Sequence, residues 1–233
     1  MEKDNANKGR SKGSILVICA HSDDQILGVG GSLAKYANEG YDVHTLILSF
    51  GESVKPYFKR AVICKARIKE SQKADKLIGG KGVVFLGLKE LHFEEDFAKR
   101  GIDNNFKKLV KGINPIKIFT HASDDAHPDH RATFRLVLKM YKRLGLKCEL
   151  YMFEVWHLIN LKKRNKPKLV IDISSTFKTK VAALKAFKSQ IDLYTLYNYL
   201  ALNNFLFFIV YIKDAFNGIK YGTKYAEVFY RVR

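Results

Sequence analysis

The chain has 233 residues and a mass of 26.7 kDa, enough for one well-buried α/β domain, and no interior linker divides it. Forty-one Lys and Arg against 23 Asp and Glu give a net charge of +18, which favours anionic partners but says nothing about fold. The basic residues are spread along the chain without a familiar nucleic-acid motif, so specific nucleic-acid binding is not expected.

Residues 1–13, MEKDNANKGRSKG, cannot bury a core and are expected to form a disordered basic tail, leaving 14–233 as a single domain. No apolar signal-peptide region follows the first charges. Together with three widely separated cysteines, Cys19, Cys64 and Cys148, this points to reduced thiols in a cytoplasmic protein.

Ile15 to Ala20 reads as a strand buried on both faces, and a helical pattern runs from about Leu27 to Asn38. His21, Ser22, Asp23 and Asp24 between them sit at a strand's carboxyl end, where ligands collect in open parallel sheets. Two readings stay open for these residues: half of a metal site, or a helix N-cap in which Asp23 or Asp24 satisfies free backbone N–H groups. Gly28, Gly30 and Gly31 lack the final spacing of a dinucleotide fingerprint, and Rossmann cofactor binding is not expected.

Tyr41 to Phe50 reads as the second strand, with Gly51 and Glu52 opening a loop on the same edge. Glu52 either lines the pocket or is solvated. Lys59 to Leu77 is an amphipathic helix with Ala61, Ile63, Cys64, Ile68, Ala74 and Leu77 available for burial. Arg67 and Glu70 are spaced to pair on one face. Val83 to Leu86 is a third strand, and Leu88 to Arg100 a charged loop with His92 at the surface.

A helix from about Ile102 to Gly112 leads to a strand, Ile116 to Thr120, and to a second polar cluster, HASDDAHPDH, carrying His127, Asp129 and His130. His121 is assigned a hydrogen-bonding or core role. Two βα loops carrying His and Asp at one sheet edge can close a site of two imidazoles and one carboxylate. That set leaves positions open for water, as catalytic zinc requires, and also suits iron(II). The next helix offers Phe134, Leu136, Val137 and Met140 to the core. Cys148–Val155 and Leu169–Ile173 read as strands, Phe177–Gln190 as one basic helix, and Tyr225–Val232 as a last strand. Leu196–Ile212 is apolar and aromatic but interrupted by Asn198, Asn203 and Asn204. It is expected to be shielded in the fold or in a homo-oligomer contact; spanning a membrane or lying on lipid is less expected. The alternation predicts an α/β, Rossmann-like three-layer sandwich with a mostly parallel central sheet.

In the two His/Asp clusters the chain resembles the LmbE-like, or PIG-L, family of zinc-dependent deacetylases acting on N-acetylglucosaminyl compounds. Weaker family-like pieces follow in order: SFGE at Ser49–Glu52, Arg67 with Glu70 and Ala74, KSQ at Lys188–Gln190, and YAEVF at Tyr225–Phe229. The resemblance implies a metal-dependent hydrolase that removes an acetyl group from an N-acetylated amino sugar. The sugar could be free or phosphorylated, nucleotide-linked or lipid-linked. It implies Zn2+, with Fe2+ as alternative, on His21, Asp24 and His130, and Asp23 as general base. His127 would stabilise the oxyanion or protonate the amine, Asp129 would hold that ring, and Arg67 would grip substrate. An amidase on a larger acyl group, or a non-catalytic sugar-binding or membrane-associated protein keeping the fold, is the alternative. Two positions depart from the family, which usually has proline at Ser22 and glutamate at Gln25.

Overall fold

The computed structural model describes residues 11–51, 59–155, 168–191 and 202–233, with the backbone alone for 168, 190, 191 and 202–209. The strands are β1 (Ser14–Cys19), β2 (Asp42–Ile47), β3 (Val83–Phe85), β4 (Pro115–His121), β5 (Glu149–Phe153), β6 (Lys168–Asp172) and β7 (Ala226–Arg231). The helices are α1 (Asp24–Asn38), α2 (Arg60–Leu77), α3 (Phe93–Lys99), α4 (Asp103–Ile113), α5 (Pro128–Arg143), α6 (Phe177–Leu184), α7 (Lys188–Ile191) and α8 (Leu202–Tyr221). They build the expected α/β sandwich around one seven-stranded sheet in the order β3-β2-β1-β4-β5-β7-β6, in which only β7 pairs antiparallel.

β1 shows why the sheet needs helices on both sides. Ile15, Val17 and Cys19 pack with Ile26, Val29 and Leu33 of α1 and Phe229 of β7. Leu16, Ile18 and Ala20 pack against Phe93 and Phe97 of α3, Phe106 of α4 and Leu136 and Met140 of α5. Strand side chains alternate between faces, so an unbroken apolar run has to be covered twice. β1 is flanked by β2 on one side and β4 on the other. The connection direction reverses there, and the carboxyl ends of β1 and β4 border the resulting crevice.

Four elements differ from expectation. α1 begins at Asp24 rather than near Leu27, because the Asp23 carbonyl accepts the Ile26 and Leu27 N–H groups. The stretch read as a charged loop contains α3. Its two buried rings, Phe93 and Phe97, are too few to mark a period, while Glu94, Glu95 and Asp96 in its first turn favour a helix N-terminus. On α2 the expected Ala61 and Leu77 are exposed, and Arg67, Ser71 and Asp75 are buried instead. The single basic helix is broken: Ala186 N–H and Phe187 N–H donate to Ala183 O and Leu184 O, an i→i−3 tightening that buries both residues before α7 begins.

Of the apolar segment Leu196–Ile212, residues 196–201 lie outside those described. Val210 is buried, but Tyr211 and Ile212 are 51% and 37% exposed, so the expected shielding does not extend to them. The inward face of α8 is taken by Val210, Asp214 and Gly218. Among the described residues no helix is long and apolar enough to cross a membrane.

A buried ion cluster ties this side together. Lys180 Nζ on α6 donates to Asp214 Oδ2 at 2.7 Å and Glu227 Oε1 at 2.6 Å, and all three side chains are within 2% of full burial. Glu227 also accepts the backbone N–H groups of Gly31 and Ser32 in α1, at 3.0 and 2.8 Å. Close approach depends on Gly31, where a Cβ would meet Ile173 at 2.7 Å. Removing one partner of a buried ion group strands the others. Lys180→Met should therefore lower unfolding free energy by about 3–5 kcal/mol in a urea titration.

Candidate metal and catalytic site

The site stands at the β1/β4 crevice. His21 follows β1, Asp23 and Asp24 start α1, His121 ends β4, and His127 to His130 start α5. Asp24 is 2% exposed, and its Oδ2 accepts the backbone N–H of His21 at 2.8 Å. The same carboxylate faces three imidazoles: His21 Nδ1 at 3.4 Å, His121 Nε2 at 3.2 Å and His130 Nε2 at 3.4 Å. The His21 ring lies 5.0 Å from His127 and 5.5 Å from His130, centroid to centroid.

Among the described residues, two groups bring potential ligand atoms within 4.8 Å of one another: His21, His127 and His130, and Asp24, His121 and His130. The set His21, Asp24 and His130 takes members from both but is neither of them: His21 Nδ1 faces Asp24 Oδ2, and His130 Nε2 faces Oδ1. Two donors on one tetrahedral zinc stand roughly 3.3 Å apart, close to the 3.4 Å by which His21 and His130 each approach Asp24. The donor types also suit zinc or iron(II).

His121 is less suited to be a ligand. Its Nε2 already accepts the Ala20 N–H at 3.0 Å, and a neutral ring has only one such lone pair. Burial and the neighbouring His130 push its pKa down to about 4, so it is a neutral core imidazole stacked on His130 with centroids 3.8 Å apart.

The charges around the other rings are one-sided. Burial alone would lower His21, but the Asp129 and Asp24 carboxylates, with Glu90 at 3.7 Å from Nε2, raise it to about 10. Burial likewise opposes protonation of His130, which Asp24 and Asp125 raise to about 9. Asp23 is pushed up to about 6 by burial and Asp24, against the pull of His21 and Arg67. The pocket thus favours a cation among its imidazoles, whether protons or a metal dication.

His127 and Asp129 meet in a way the sequence did not suggest. His127 Nδ1 accepts the Asp129 backbone N–H at 3.1 Å, so a neutral ring carries its proton on Nε2. Burial, with the charges of His21 and His130, lowers the His127 pKa. The Asp129 carboxylate is used elsewhere: Oδ1 accepts the Leu91 N–H at 2.8 Å and Oδ2 lies 3.3 Å from His21 Nε2. Asp125, which sequence reasoning passed over, accepts the His127 N–H at 2.9 Å and stands 3.0 Å from His130 Nδ1. That last contact is at ion-pair distance but off line for a hydrogen bond.

Arg67 is 4% exposed and is not the surface partner of Glu70. Glu70 instead accepts from Ser189 N–H and Oγ at 2.7 and 2.6 Å, joining α2 to α7. Arg67 lies against Gly51, whose φ is +69° and where a Cβ would be 1.8 Å from Nη1, so only glycine admits the guanidinium. Arg67 Nε has no hydrogen-bond partner among the described residues. Glu52 lies outside them. Glu90, read only as part of a charged loop, is 9% exposed and belongs to the site; no apolar period could have marked it.

An open α/β sheet with a His/Asp cluster at its topological switch point defines a class in which ligand chemistry is carried by βα loops. The PIG-L family, described as GlcNAc-PI de-N-acetylase, matches residues 16–141, and the chain belongs to that family. A probable N-acetyl-alpha-D-glucosaminyl L-malate deacetylase 2 of Bacillus cereus is 28% identical over 192 residues, covering 76% of this chain and 84% of the relative. A 4-oxalmesaconate hydratase of Pseudomonas putida is 25% identical over 215 residues, covering 84% and 81%. The solved N,N'-diacetylchitobiose deacetylase of Pyrococcus horikoshii shares the fold, with a TM-score of 0.73 at 20% identity over 94% of this chain and 83% of that one.

His121→Gln separates the two candidate groups, since a glutamine oxygen can still take the Ala20 N–H. The variant should keep full metal stoichiometry by elemental analysis and lose about 1–2 kcal/mol of stability. Loss of metal from a folded His121→Gln protein would instead assign the buried trio as the centre.

Proposed function

We propose that the protein is a metal-dependent N-deacetylase acting on an N-acetylglucosaminyl conjugate. The observation that carries this reading is the meeting of both βα loops around Asp24, with His21 and His130 at ligand spacing. Family membership supports it. His21, Asp24 and His130 would hold zinc, with iron(II) as the alternative. When bound there, the metal supplies a Lewis acid that acidifies water and polarises the acetyl carbonyl.

The chain's own groups do the rest. Asp23, held near pKa 6, takes the proton from the attacking water at neutral pH. His127, with its proton on Nε2, donates a hydrogen bond to the oxyanion, and Asp23 passes the proton it took from water to the departing amine. Asp129 fixes that tautomer through its backbone N–H. Arg67 presents its fork to substrate hydroxyl or phosphate oxygens. The C–N bond breaks, and acetate and a free amine leave.

The same groups could cleave a larger acyl amide. A hydratase is a second reading, favoured by the comparable identity to the Pseudomonas putida enzyme over more of the chain. Amine release from N-acetylglucosaminyl conjugates, set against water addition to unsaturated carboxylates followed by loss of ultraviolet absorbance, separates the two. Turnover of the second panel alone would overturn deacetylation.

Asp23→Asn should keep its metal and lose on the order of a hundredfold or more in kcat; full activity at unchanged metal content would remove Asp23 as the base. His21→Ala and His130→Ala should each bind zinc more weakly in a chelator competition, with partial recovery of activity in excess zinc. Unchanged affinity in both would refute the ligand set.

A further inference from the structure

α8 presents two unlike faces. Val210 and Asp214 are buried toward β7 and α6, whereas Tyr211, Ile212, Phe216 and Ile219 are 51%, 37%, 48% and 80% exposed. Ile212, Phe216 and Ile219 follow one another at spacings of four and three, which aligns them as one stripe along the helix. Single exposed apolar residues are ordinary, but a contiguous row on one helix marks a surface that is covered in use.

The charges around the stripe identify its occupant. From Leu202 to Arg233 the acidic residues are Asp214 and Glu227, and both are withdrawn into the core on Lys180. No exposed carboxylate side chain therefore borders the stripe within that stretch. Lys220 and Lys224 are exposed beside it. Lys224 Nζ lies 5.7 Å from the Tyr225 ring, and that ring lies 5.5 Å from Tyr211. Apolar and aromatic side chains bordered by lysines, on a chain of net charge +18, match an anionic lipid surface in both polarity and charge. A second copy would bring two strongly cationic bodies together.

We propose that the outer face of α8 is a docking surface for an anionic phospholipid bilayer. The inner face is already packed on the fold, so the helix lies in the plane of the interface and only the stripe enters lipid. Lys213 Nζ donates to the carbonyl of Glu154, just past β5. This fixes α8 at the carboxyl edge of the sheet, where Phe153 packs on His121 with centroids 4.7 Å apart. Docking would bring the site's edge close to the membrane surface, whatever reaction the site performs.

The test is flotation of the full chain with vesicles of phosphatidylglycerol and phosphatidylcholine, and with phosphatidylcholine alone, at low and high salt. Light scattering without vesicles accompanies it. The wild-type protein should float with the anionic vesicles and stay bound at high salt. Phe216→Glu/Ile219→Glu, with an unchanged melting profile, should lose on the order of tenfold or more in partitioning. No flotation would overturn the proposal. So would binding that salt abolishes and the double variant leaves intact, because charge alone would then be responsible. A dimer lost in the double variant, with no vesicle binding, would assign the stripe to a second copy instead.

Discussion

The placement of α1 is the constraint on which the site depends. The helix carries Asp24 in its first turn, and two turns later its Gly31 and Ser32 N–H groups are held by Glu227. Glu227 is oriented by Lys180, which Asp214 shares. A carboxylate sunk this deep is tolerable because a cation and two amides meet it. Since the cluster sets how far α1 slides along the sheet, it also sets where Asp24 stands among the imidazoles. This gives the distant YAEVF piece a structural role: Glu227 acts through the helix rather than at the site. Glu70 and the KSQ piece do similar work, fastening α2, which carries Arg67, to α7.

The site itself is a problem of charge balance. Asp24, Asp125 and Asp129 are within 2% of full burial and Glu90 is 9% exposed. Such a concentration of carboxylates is stable only beside positive charge. His21 and His130, raised to about 10 and 9, can supply two protons. A dication supplies the same charge at one point, so metal binding can exchange protons for the ion without changing the net charge of the pocket. His121 and His127 take no part in that exchange, because each presents a lone pair to a backbone N–H. Four histidines in one cluster therefore divide into two whose protonation the surrounding carboxylates favour and two whose tautomer the backbone sets.

The sheet and the two polar loops were legible because buried parallel strands are uninterrupted apolar runs and because His and Asp at strand ends have few structural uses. The polar faces were not. Arg67, Ser71 and Asp75 are buried on α2, yet apolar periodicity assigned burial to Ala61 and Leu77, since hydrophobic patterning reports cores and not the walls of a polar pocket. Asp125 and Glu90 were missed for the same reason: each is a loop carboxylate whose significance arises only from what the fold sets opposite it. His121 was placed correctly as a hydrogen-bonding core residue because it directly abuts an apolar strand. The division of the last basic helix turned on one 3₁₀ turn, an energy difference too small for a residue pattern to reveal.

The two departures from the family pattern act together. Gln25 is 1% exposed; its Nε2 donates to the Ser22 carbonyl at 2.9 Å and its Oε1 faces the Cys19 thiol at 3.6 Å. Ser71 Oγ reaches the same Ser22 carbonyl at 3.3 Å. An ionised glutamate at this position could not donate to that carbonyl, and it would add a buried negative charge beside Asp23 and Asp24. Where proline would limit the loop through φ, Ser22 is held through its carbonyl by two neutral donors. The pair thus exchanges backbone rigidity and a charge for a closed set of hydrogen bonds. One consequence bears on chemistry: the rise of Asp23 to about 6 comes from burial and Asp24, without a third carboxylate to drive it higher. Gln25, being neutral, adds no charge to that environment, and an ionised Asp23 is the form in which the carboxylate can accept a proton.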